Sequence, residues 1–230
     1  MELMTRLAFF QPLDFVALAI LVVGWFAIGW RVEHPSASAP SMSMIMADYR
    51  REWMRQMVAR DPRIFDAQVL GAMRQGTAFF ASTSVIAIGG ALALIGNSDR
   101  LAGVARDMAF VDQPASLLEL KLLLVLLCLT NSFLKFAWSN RLFGYCGVLM
   151  GAVPNDPAHP MALPRAMQAA DIQITAARSF NRGLRSIYFS LSAIAWLAGP
   201  IPLILATAVT LSVIWRREFA SHSRKILLAT

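Results

Sequence analysis

Five residues that could carry chemistry, Lys121, Asn131, Ser132, Lys135 and Ser139, lie with Glu119, Thr130 and Asn140 inside one mostly apolar stretch, LLELKLLLVLLCLTNSFLKFAWSN. At 100° per residue, Cys128, Ser132, Lys135 and Ser139 fall within about 40° of Lys121 on a helix, with Asn131 beside them. Ionisable side chains inside an apolar span are costly and face a bundle interior or water. A stripe of two lysines and several hydroxyls would suit the lining of an anion path, because a fixed cation lowers the barrier for anions and raises it for cations. A structural account competes with this one. Lys121 and Lys135 would run their apolar stems to opposite interfaces, while Asn131 and Ser132 bond neighbouring helices.

A second set is cationic. Arg178, Arg182 and Arg185 share a helix face with Asp171 and Thr175, and Arg141 closes the preceding polar stretch. Guanidinium groups at that density attract anions or lipid phosphates. The alternative is ion pairing with Asp61, Asp66 or Glu52 on other helices.

Catalytic patterns are missing. The three histidines, His34, His159 and His222, are isolated, and the two cysteines, Cys128 and Cys146, form no C-x-x-C or Cys/His cluster. No H-E-x-x-H, G-x-S-x-G, P-loop or paired-carboxylate spacing occurs, and Gly89-Gly90 follows no strand that would make it a dinucleotide loop. The expectation is a protein that is not an enzyme and holds no metal or cofactor.

The elements that must position these residues follow from composition. Of 230 residues, 57% are apolar and 15% charged, with mean hydropathy +0.55. A soluble domain carries about 25% charged residues, so this chain reads as a single all-α polytopic membrane domain, 1–230. Apolar runs predict four transmembrane spans, about 13–31, 74–96, 116–138 and 186–215. Between the first two, SMSMIMADYRREWMRQMVARD predicts an amphipathic helix over about 42–59, with Met42, Ile45, Met46, Tyr49, Trp53 and Met57 on one side. That face suits the membrane interface or packing on the protein's own helices. Asp61-Pro62 reads as a helix start, and the patterns beginning at Pro62 and ending near Val153 are longer than a bilayer requires, predicting helical extensions. Leu101, Val104, Ala105 and Met108 suggest a short amphipathic turn between the second and third spans. In the second span, Ala87-x-x-x-Ala91 and Gly89-x-x-x-Ala93 allow close helix approach.

Orientation follows from lysine and arginine. Arg31, Arg50, Arg51, Arg55, Arg60, Arg63 and Arg74 crowd the first connection, and Lys135, Arg141, Arg165, Arg178, Arg182 and Arg185 the third, whereas the second has Arg100, Arg106 and Lys121 and the N-terminus Arg6. The positive-inside rule places the first and third regions in the cytoplasm and the chain in the inner membrane, with the N-terminus outside. This bias accounts for the net charge of +7 without nucleic acid as a partner. The break Gly199-Pro200-Ile201-Pro202 leaves two paths. One kinked span, the favoured reading, would put Arg216, Arg217, Arg224 and Lys225 outside, against the rule; a re-entrant hairpin would bring them inside.

The segments YRREWMRQMVARDPRIFDAQ, FFASTSVIAIGG, LLELKLLLVLL, KFAWSNRLFGYCGVLMGA, SFNRGLRSIYFSLSAIAWLAGP and WRREF, in that order, resemble a family of bacterial membrane proteins, the "domain of unknown function 599" family. The resemblance covers nearly the whole chain and implies an integral membrane protein with four spans, but no activity or catalytic residue. Two functions therefore stand. One is a homo-oligomeric channel or transporter-like protein, with anions as cargo. The other is an accessory or scaffold subunit that binds another membrane protein or lipids. The bilayer is the expected partner in both, together with self-association or a second membrane protein.

Overall fold

The computed structural model describes residues 10–98, 103 and 114–229. The amphipathic turn expected around Leu101 to Met108, together with Arg6, Arg100 and Arg106, lies outside them. Among the described residues the chain is all-α. Helix α1 is Pro12–Glu33, α2 Met42–Met57, α3 Ile64–Ile95, α4 Ala115–Gly151 and α5 Ala162–Ile194. A 3-10 turn, Ala195–Ala198, then precedes α6, Pro200–Phe219, and α7, His222–Leu228. Among the described residues, four stretches are long and apolar enough to cross a membrane: Pro12–Glu33, Ile64–Ile95, Ala115–Gly151 and Pro200–Leu228. This is a multi-pass helical membrane bundle. The expected spans 74–96 and 116–138 sit inside α3 and α4, whose 32 and 37 residues exceed the ~20 that the hydrocarbon core requires.

Two compact units divide the chain. The first comprises Met1–Arg31, Ser84–Ser132 and Leu184–Arg217. Its helix directions can be read from paired residues. Asn131 bonds Ser186 at 3.1 Å, and Lys121 lies 5.6 Å from the Trp196 ring, so α4 and α5 run antiparallel. The Ser192 hydroxyl lies 2.8 Å from that of Thr210 and also donates to Ala206 O at 3.3 Å, and Arg217 bonds the Tyr188 hydroxyl. A continuous helix would hold residues 188 and 217 about 43 Å apart. The chain therefore reverses between α5 and α6, which corrects the expectation of one kinked span over 186–215. Gly199, at φ 121°, makes the reversal: it is a backbone region that L side chains rarely adopt. Pro200 then opens α6, where a missing N–H costs nothing. Helix α6 runs parallel to α1, since Asp14 meets the 3-10 turn at Trp196, Gly24 meets Leu211, and Arg31 stacks over Trp215. The end of α6 thus lies beside the end of α1.

The second unit comprises Val32–Thr83, Phe133–Gly183 and Glu218–Thr230. Its core joins Met54, Met57 and Val58 to Leu70 of α3, to Leu142, Phe143, Cys146 and Met150 of α4, and to a run of alanines on α5. Those alanines let α5 approach α4 closely: Ser139 Oγ donates to Ala176 O at 2.8 Å, and Cys146 Sγ lies 3.5 Å from Ala169 O. Helix α2 is amphipathic, as expected; it buries Ile45, Ala47, Met54 and Met57, of which Met54 and Met57 join this core. Tyr49, placed by periodicity on the apolar side, is 44% exposed. Asp61-Pro62 does not open α3. It forms a cis X-Pro bond ahead of a helix that begins at Ile64.

Candidate functional site

The polar stripe of α4 is an interior seam. In the first unit, Lys121 is only 2% exposed, so its stem does not carry the ammonium to an interface as the structural account expected. Its Nζ faces Trp196, whose Nε1 donates to Asp14 Oδ1 at 2.7 Å. Asp14 is itself buried, accepts the Gln11 N–H at 3.0 Å through Oδ2, and acts electrostatically on Lys121. A lysine in apolar surroundings is thus offset by a carboxylate from α1 and an indole face from the 3-10 turn. Cys128 and Ser132 are fully buried on the same side of α4. Asn131 Nδ2 donates to Ser186 Oγ, which in turn donates to Cys128 O at 2.6 Å. In the second unit, Ser139 is fully buried against α5 and Lys135 is half-buried. Hydroxyls at this spacing thus tie α4 to α5.

The arginines do not form one cluster. Arg141 is exposed, donates to the Tyr145 hydroxyl at 2.5 Å and stacks over the same ring. Arg178 is exposed. Arg182 forks onto Glu33, with Nε to Oε1 at 2.8 Å and Nη2 to Oε2. Arg185 is 6% exposed. The three acids expected as partners are used elsewhere or stand apart. Asp66, fully buried, accepts Trp53 Nε1 at 2.6 Å and pairs with Arg60. Glu52 takes Gln56 and Arg55, which together hold its carboxyl below the usual range. Asp61 is exposed ahead of α3.

Sequence reasoning missed the residues that organise these contacts. Asp14, an acid near the start of an apolar run, was a legible signal. Trp196, Glu33 and the Asp66–Arg60–Trp53 cluster carried none, because their partners are brought close only by folding. Among the described residues, no group of three His, Cys, Asp or Glu side chains is placed to hold a metal ion. The chemistry on offer is cationic and hydrogen-bonding: fixed guanidiniums, buried hydroxyls and an enclosed lysine–carboxylate–indole cluster.

The family model for "Protein of unknown function, DUF599" matches residues 16–223. No curated protein and no solved structure matches the chain.

Proposed function

The chain belongs to that DUF599 family, and from this premise we propose that it is a non-enzymatic, multi-pass protein of the inner membrane that binds anionic lipid at the cytoplasmic surface and acts as a scaffold there. One observation supports the reading. Arg74, Arg141 and Arg178, all on the Arg-rich side, are exposed, and among the described residues none of them pairs with a carboxylate. Exposed guanidiniums whose charge is not offset within the protein attract phosphates of the anionic leaflet, each contributing about 1 kcal/mol. The channel reading draws no support from a single chain, since the stripe that would line it is used between α4 and α5.

Reconstitution separates the two. In liposomes of phosphatidylglycerol and phosphatidylcholine, the lipid-binding reading expects no anion flux above empty vesicles. It also expects thermal stabilisation of the detergent-solubilised protein by phosphatidylglycerol but not phosphatidylcholine, weakened by salt. Flux above the empty control, or equal stabilisation by both lipids, would overturn it.

A further inference from the structure

A groove of about 360 Å³ runs between the first turns of α3 and the end of α4, wholly within the second unit. On the α3 side its wall is set by Ala67, Gly71 and Arg74, which recur every three or four residues and so occupy one helix face about 10 Å long, and by Arg63 just ahead of the helix start. Glycines on both sides keep the groove open. Gly71 and Gly151 line it, and an added Cβ at either would meet nothing within 4 Å.

Charge within the groove has one sign. Both ionisable lining residues are arginines, and no carboxylate lines it. Arg63 is held in place: Nη1 donates to Val153 O at 2.7 Å and Nη2 to Pro154 O at 2.7 Å. These carbonyls follow the C-terminal end of α4, where helices leave acceptors unsatisfied. The acceptors are neutral, so the Arg63 charge is not cancelled, and its Nε is buried with no partner. Arg74 is exposed, has no ion pair among the described residues, and keeps its planar fork of donors for a ligand. Asn155 adds a neutral amide. Between the charges, the exposed Ala67, Gly71 and Gly151 offer apolar surface, with the buried Leu70 and Met150 beneath them.

Position selects the ligand's source. Arg74 lies two residues before the apolar run 76–95 of the same helix, at the level where a bilayer presents its phosphates. Resting on the lipid-binding reading, we infer that this groove is a headgroup site for one anionic phospholipid. Its phosphodiester oxygens accept from Arg74 in the field of the fixed Arg63, and its glycerol carbons lie along Ala67 and Gly151. A free phosphate would satisfy the guanidiniums but leave the apolar surface uncovered, which favours the lipid.

Native mass spectrometry of the full-length protein, in detergent with equal phosphatidylglycerol and phosphatidylcholine, tests this. Wild type is expected to retain one phosphatidylglycerol preferentially. Arg74→Gln should lower that retention about fivefold, the factor expected of one basic residue facing an anionic headgroup. Gly71→Leu fills the groove without altering charge and should lower it as well, while Arg55→Gln, outside the groove and already paired with Glu52, should leave it unchanged. Circular dichroism melts identify any variant that fails to fold, and the other groove variant then carries the test. Wild-type retention in both groove variants would overturn the site and leave the lipid-binding reading standing. No preference in wild type would overturn that reading itself. Full displacement of the lipid by millimolar inorganic phosphate would overturn the lipid in favour of a free anion.

Discussion

The Glu218 carboxylate accepts the backbone N–H of Ser43 at 3.1 Å and the Ser43 hydroxyl at 3.1 Å, joining two residues 175 positions apart. Ser41 is the N-cap of α2, so Glu218 sits where the first helical N–H groups lack partners and the helix dipole favours negative charge. The Asn181 amide donates to the same hydroxyl at 3.3 Å. The end of α6 is thereby fastened to the start of α2. Glu218→Ala is expected to lower stability by about 1–2 kcal/mol, as the loss of a charged cap does. Glu218→Gln, which keeps an acceptor, should cost less. Thermal unfolding in detergent reads the difference, and an unchanged Tm for the alanine variant would show that the contact contributes nothing.

Reversal at Gly199 brings Trp215, near the end of α6, back beside Arg31. In a background with Cys128 and Cys146 replaced by alanine, Asn97→Cys is expected to react with an impermeant maleimide in intact cells. Arg55→Cys and His222→Cys should react only after permeabilisation. Labelling of His222→Cys in intact cells would restore the single kinked crossing. The expected pattern places Arg216, Arg217, Arg224 and Lys225 on the cytoplasmic side, removing the conflict with charge bias that a kinked span carried.

Lys121 and Asp14 are buried together, so each is expensive alone. Asp14→Asn should destabilise by about 2–4 kcal/mol, because it leaves an ammonium without its counter-charge. Lys121→Met on top of Asp14→Asn should recover part of that loss. A double-mutant cycle is expected to give a coupling energy above about 1 kcal/mol. Additive effects would mean that the two charges do not sense each other.

Two glycines separate packing from propensity. A Cβ on Gly183 would lie 2.8 Å from Phe136 Cε1, within a ring cluster that Phe136 shares with Phe80 and Phe180 at centroid distances of 5.4 and 5.3 Å. Gly183→Ala is expected to cost about 1–3 kcal/mol through overpacking. On Gly144, also in a helix, a Cβ meets nothing within 4 Å, and Gly144→Ala should stabilise by about 0.5–1 kcal/mol through helix propensity. Equal shifts in Tm for the two variants would sink the packing account.

The sequence by itself determined what depends on neighbours along the chain. Apolar runs of bilayer length gave three of the four membrane-capable helices and overlapped the fourth, and three- to four-residue periodicity gave α2 with its buried Met57. The helical patterns starting near Pro62 and ending near Val153 gave the long α3 and α4 to within about two residues at either end. These are local properties, set by transfer of side chains from water and by helix geometry. Tertiary structure decided everything that depends on which faces meet. Periodicity put Lys121, Ser132 and Ser139 on one side of α4 but could not tell whether that side meets water, lipid or another helix; packing against α5 decided it. Gly199-Pro200 marked a break, yet a kink and a reversal look alike locally, and the contacts of Ser192 with Ala206 and Thr210 and of Tyr188 with Arg217 distinguish them. Arg63 and Arg74 read as two more charges in a basic stretch. They line one groove because α4 ends beside the start of α3, and a contact between chain segments about 90 residues apart leaves no trace in the spacing of either segment.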